Sequence, residues 1–246
     1  MKTFATILAV AVLCVAGTAQ AAAIGVNFSN TNAGTPPVTH FGGLPLMPTD
    51  TAGVEAQQNW NNFNTASARH GVLSWDGSAW VLNDPGTYVD SNGDDTTLTV
   101  SGTFDVYNTS DVDSSSGDGK LMSGVNGFDN KSFTVDDVPY STYDLIVYLM
   151  DRNNDIDDTS GATVTDGTTT YYVDPVTSFG SHTEITSTTS GSPGVGTYVK
   201  FTGLSGSTTI DVNHDGMAGF QIVPEPATMS LLALGGLGVL LRRRRR

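Results

Sequence analysis

Three groups of residues in this 246-residue chain have types and spacings that could do chemistry. The first is acidic. Asp151-x-Asn153-x-Asp155 sets an oxygen ligand at every second position, as the opening half of a calcium loop does, and Asp157 and Asp158 follow. Calcium is the one cofactor this stretch would take. Against it, Ile156 stands where such a loop turns on glycine, and no glutamate closes the loop at its twelfth position. Asp111-x-Asp113 with Asp118, and Asp90 with Asn92, Asp94 and Asp95, are shorter clusters of the same kind. Solvated acidic turns account for all three and are the commoner use of such residues.

The second group is aromatic. Trp60, Trp75 and Trp80, with Asn61 and Asn62 nearby, could give flat rings for stacking on sugars and amides for their hydroxyls. That makes extracellular polysaccharide a candidate partner. The commoner alternative puts these tryptophans in the core of a β-sandwich.

The third group would carry catalysis, and it is sparse. Residues 203–207, GLSGS, lack the second glycine of a nucleophile elbow and read as the turn before the strand TTIDV. His40, His70, His182 and His214 are widely separated, with no H-E-x-x-H zinc pattern and no phosphate-binding glycine loop. His214, in NHDG, reads as a turn residue. The 25 acidic residues offer many carboxylate pairs, but sequence alone sets none at the separation glycoside hydrolysis requires. No catalytic residue is assigned, and a protein that is not an enzyme is expected. A secreted glycan hydrolase or lyase is the less favoured alternative.

Composition sets the background for these groups. Between Lys2 and Arg242 lie five basic residues and all 25 acidic ones, a net charge of −20. Such a body repels phosphates, which excludes nucleic acid as a partner. Nearly all the acids are aspartate, which favours turns, and with 28 glycines they describe a turn-rich β protein. The single cysteine, Cys14, lies in the N-terminal apolar run, so no disulfide framework and no thiolate site is expected in a mature chain.

The two ends read as addresses. Lys2, the apolar stretch 4–16 and the small-x-small triplet Ala19-Gln20-Ala21 have the order of a secretory signal peptide, with signal peptidase expected to cut after Ala21. At the other end, Pro224-Glu225-Pro226 precedes the apolar run 227–241, from Ala227 to Leu241, and then five arginines, from Arg242 to Arg246. As a helix those 15 apolar residues would extend about 22 Å, short of the roughly 30 Å hydrocarbon core. The arginines would stay cytoplasmic and leave the body outside, so a transient inner-membrane insertion is expected rather than a lasting anchor.

Pro-Glu-Pro, a short apolar helix and an arginine run in this order resemble the PEP-CTERM sorting signal. The resemblance implies a Gram-negative-type bacterium that makes extracellular polysaccharide. It also implies recognition and cleavage near Pro224-Glu225-Pro226 by an exosortase, and arrival at the cell surface or extracellular matrix. IGVNF, AGV followed by NWNN, YDLIVYL, TYVKFTGLSGS and GFQIVPEP are also similar to segments of planctomycete- and verrucomicrobia-type PEP-CTERM substrates.

The elements that must hold these residues are short strands. Ile24, Val26 and Phe28 alternate as one face of a half-buried strand, and strands are expected over 71–75, 79–82, 96–107, 131–135, 141–150, 168–173, 183–188, 197–202, 207–212 and 218–223. YSTYDLIVYLM, continuously apolar, reads as a central strand covered on both faces. Residues 51–67, around NWNN, read as mostly loop. The expected fold is all-β, a single antiparallel β-sandwich of jelly-roll or galactose-binding-like type over 22–222. A signal peptide, 1–21, and a short C-terminal transmembrane helix within 223–246 would flank it.

Overall fold

The structure, a computed structural model, describes residues 22–29, 44–64, 71–77, 80–83, 86–104, 106–108, 115–126, 131–151, 162–214 and 216–225. Its contacts divide the chain into a body, Ala22–Val223, and a second unit formed by Met1–Ala21 with Pro224–Arg246. Of that second unit only Pro224 and Glu225 are described. Among the described residues no helix is long and apolar enough to cross a membrane; the run 227–241 lies outside them.

The body is almost entirely β. Its larger sheet runs, in spatial order, β13 (Tyr198–Leu204), β9 (Tyr143–Leu149), β15 (Met217–Pro224), β1 (Ile24–Ser29), β2 (Asn61–Asn64), β3 (Gly71–Trp75) and β4 (Trp80–Asn83). β7 (Gly124–Asn126) also pairs with β15, and β6 (Val106–Asn108) pairs with β7. The smaller sheet runs β12 (Gly194–Gly196), β11 (Thr170–Pro175), β10 (Thr163–Thr165), β14 (Thr208–Asn213), β8 (Lys131–Asp136) and β5 (Thr99–Gly102). The wholly antiparallel arrangement read from sequence is corrected at two places: β1 and β2 are parallel, as are β11 and β12. Both sheets are mixed because more than a dozen residues separate β1 from β2 and β11 from β12, enough chain to return to the same end of the strands and pair in parallel.

The sheets meet through side chains that alternate along each strand. In β14, Thr208, Ile210 and Val212 turn inward, and Thr209, Asp211 and Asn213 face water. Phe133 of β8 stacks on Phe220 of β15, ring centres 4.9 Å apart and planes 17° apart. Phe28 meets Phe63, Phe104 and Phe220 from the larger-sheet side.

The outer face of the larger sheet is covered too. Residues 44–60 and the helix α1 (Gly117–Leu121) lay Leu46, Ala52, Trp60, Leu121 and Met122 over Ile146, Tyr148 and Ala218. Every residue of β15 and β1 is buried, and all but Asp144 of β9. This bears out YDLIVYL as a strand covered on both faces. It corrects IGVNF, expected to be half-buried, because the cover over its outer face is formed by a segment that reads as loop.

The stretch TLTVSGTFDVY divides at Gly102. β5 ends there in the smaller sheet, Phe104 enters the core, and β6 continues in the larger sheet. A Cβ on Gly102 would stand 2.5 Å from the Ser132 carbonyl oxygen, so only glycine permits this crossing. Strand 183–188 is corrected to a single bridge, Glu184 to Tyr198, with Ile185 buried beneath it. Conversely, β2, β7, β10, β12 and α1 arise in stretches that read as loops and turns. α1 forms because Ser116 caps it, its Oγ accepting from the Gly119 amide at 3.0 Å.

Candidate functional site

The last strand leads straight into the Pro-Glu-Pro triplet. β15 is buried through Val223 and ends on Pro224, which has no N–H to offer a ladder. Glu225 is exposed. Pro226, Ala227, Leu241, Arg242 and Arg246 lie outside the described residues. At the body's other end, β1 pairs antiparallel with β15 in the register Ile24 to Ile222 and Gly25 to Gln221. The first and last residues of the body therefore leave it at one pole. Ala19 and Ala21 lie outside the described residues, but Ala22 is held: the Tyr140 phenol donates to its carbonyl. The Ser91 amide donates to the Ala23 carbonyl at 2.8 Å. Burial, aided by the negative charge of Asp90, pushes the Tyr140 phenol up to about 12, so it stays protonated as a donor.

The three tryptophans come together on the outer face of β2, β3 and β4. Trp75 and Trp80 face each other across the β3–β4 pair, ring centres 5.3 Å apart and planes tilted by 59°. Trp80 is 5% exposed and Trp75 half-buried. Trp60, 4% exposed, is clamped: its indole N–H is shared between the Ala52 and Gln57 carbonyls at 3.3 and 3.2 Å. Its ring lies against bare backbone, since a Cβ on Gly25 would come within 2.5 Å of it and one on Gly53 within 2.7 Å. All three rings line one pocket of about 180 Å³, with Asn59 and Thr87 at its polar side.

The asparagines thought to offer amides to a ligand serve the fold instead. Asn61 donates to the Gly25 and Val89 carbonyls and accepts from the Val89 amide. Asn62 accepts from Asn27 and the Leu46 amide and donates to the Leu46 carbonyl. Their bonds make a strand of residues with poor β propensity, and this tells why NWNN reads as loop from sequence.

The acidic clusters part company. Asp151 is buried where β9 ends, its amide bonded to the Val176 carbonyl at 3.0 Å. Asn153 and Asp155 lie outside the described residues, as do Asp111 and Asp113. Asp90 closes its own turn, one carboxylate oxygen accepting from the Asn92 and Asp94 amides at 2.8 and 3.2 Å. Asp118 accepts from the Gly53 amide at 2.8 Å and lies 3.0 Å from His182 Nε2. Burial raises the Asp118 carboxyl, but the hydrogen bonds from His182 and Gly53 and the histidine's charge outweigh it and hold the group below the usual carboxylate range. Among the described residues no group of three or more His, Cys, Asp or Glu could hold a metal ion. His214 is buried with neither ring nitrogen hydrogen-bonded, and burial pushes it down to about 4.

Sequence reading passed over Gly25 and Thr87. Gly25 carried a signal, the one gap in an otherwise bulky alternating strand; Thr87 carried none.

No curated protein and no solved structure matches the chain. Residues 223–246 match the family model of the PEP-CTERM protein-sorting motif, beginning on the last residue of the body. By that match the chain carries the PEP-CTERM sorting motif, which marks it as an exosortase-targeted, exported protein.

Proposed function

We propose that this is a non-enzymatic component of the cell surface or extracellular matrix. Signal peptidase would remove residues 1–21, and segment 227–241 would sit transiently in the inner membrane. An exosortase would then release the body by cutting near Pro224-Glu225-Pro226. The observation that carries this reading is the junction itself: the matched motif starts at Val223, on the last two residues of the last buried strand. A cut at or beyond Pro224 leaves the core strand whole, whereas a cut a few residues earlier would strip a strand buried on both faces. The departure of both chain ends at one pole supports the same sequence of events, since one side of the body would face the membrane during both cleavages.

His214 is sealed in the interior and the Nε2 of His182 faces Asp118, while His40 and His70 lie outside the described residues. Mass spectrometry of the protein from its producing cells tests the proposal. The expected C terminus lies near Pro224-Glu225-Pro226. A mature chain that keeps Arg242 and Arg246 and stays integral to the inner membrane would overturn it.

A further inference from the structure

We infer that the pocket between Trp60 and the Trp75–Trp80 pair binds a single uncharged pyranose ring. This goes beyond the sorting proposal and does not depend on it.

The wall of the pocket is preorganised. Trp60 is held by two hydrogen bonds and by close packing on Gly25 and Gly53, so its ring has no freedom to lose when a ligand arrives. Trp75 and Trp80 are set by directly opposed positions in a two-strand pair. Trp75 keeps part of its ring in water, and a ring so placed gains by covering itself with C–H groups.

The tilt of that pair selects the ligand's shape. Two rings inclined by 59° make a corner and do not form a parallel slot, so a flat aromatic ligand can stack on only one of them. Trp75 alone of the three keeps ring surface in water, so a sugar chair would lay its C–H face on Trp75, with the buried Trp80 and Trp60 rings backing the pocket. At about 180 Å³ the pocket is below the roughly 300–1,000 Å³ of drug-sized sites and suits one ring.

The polar groups select its chemistry. Trp80 is almost wholly buried, yet its indole N–H has no acceptor among the described residues, and neither has that of Trp75. The Thr87 hydroxyl, exposed at the rim, also has no partner among the described residues. These are donors and an acceptor of the kind that sugar hydroxyls satisfy. Among the described residues no charged side chain lines the pocket, and a body of net charge −20 repels uronates and phosphates.

Calorimetric titration of the purified, processed protein tests this, using methyl glycosides of glucose, galactose, mannose and N-acetylglucosamine. Glucuronate serves as a charged control and indole as a flat aromatic one. At least one neutral glycoside is expected to bind saturably with a Kd of order millimolar, with glucuronate and indole about tenfold weaker or worse. Trp75→Ala should lose at least about tenfold in affinity while keeping the native circular dichroism spectrum, at a lowered thermal midpoint because its packing on Trp80 is lost, and Thr87→Val should lose a few-fold. The inference falls if none of the four glycosides binds, if glucuronate or indole binds as well as the best of them, or if folded Trp75→Ala binds undiminished. Should Trp75→Ala not fold, the exposed Thr87→Val decides: undiminished affinity there overturns the assignment.

Discussion

Ile24 of β1 and Ile222 of β15 stand directly opposite each other in the larger sheet, and both are fully buried. Through this pair the first strand after the expected signal cleavage and the last strand before the sorting motif are neighbours. Folding and sorting therefore meet within three residues of one another.

Ile222 and Glu225 should be separable by substitution. Ile222→Asp puts an unpaired charge into the core and is expected to cost more than about 4 kcal/mol, leaving a protease-sensitive chain. Glu225→Ala, on an exposed residue, should leave the denaturation midpoint unchanged while uncleaved protein accumulates in the membrane fraction. Limited proteolysis and cell fractionation read the two outcomes.

Gly25→Ala should act through Trp60. The new methyl would overlap the indole, and overpacking of this kind costs about 1–3 kcal/mol. The expected result is a lower urea midpoint and a red-shifted tryptophan emission as the ring is displaced.

Tyr148→Phe removes one oxygen that holds the cover on the sheet. The Tyr148 hydroxyl accepts from the Val54 amide and donates to Gln221 Oε1, both at 2.8 Å. Gln221 in turn donates to the Glu55 carbonyl and to Gln57 Oε1. Leaving the Val54 amide and the glutamine without that oxygen should cost about 1–3 kcal/mol, measured by urea denaturation.

His214 makes stability sensitive to mild acid. Unfolded, its imidazole takes a proton near pH 6.5; folded, only near pH 4. As pH falls through that window the unfolded state binds a proton that the native state refuses, so stability declines, by about 2 kcal/mol between pH 7 and pH 5. Asp118, held below the ordinary carboxylate range, contributes stability that is lost only at lower pH and does not intrude. His214→Leu should flatten this part of the profile and be neutral or stabilising at pH 7, where it removes two unpaired buried nitrogens. Urea midpoints at the two pH values check it.

Much was legible in the sequence because it is local. Period-two alternation in TTIDV and the continuous apolar run of YDLIVYL report which faces are buried, and the strands are there. Pro-Glu-Pro with its apolar run and arginines is a contiguous code, matched by the family model on residues 223–246 without reference to the body's fold. Parallel pairing of β1 with β2 was not legible, because it depends on where a long connection returns. Nor was the strand in NWNN, whose amides hold it only once Gly25, Val89 and Leu46 are alongside. The three tryptophans stood out by type, but sequence spacing could not say that Trp60 is locked between two glycines while Trp75 and Trp80 form a corner beside it. The address of this protein lies in the order of neighbouring residues; its pocket, lined by residues between Leu46 and Val89, exists only where the covering segment packs on the β3–β4 pair, and only tertiary structure decides that.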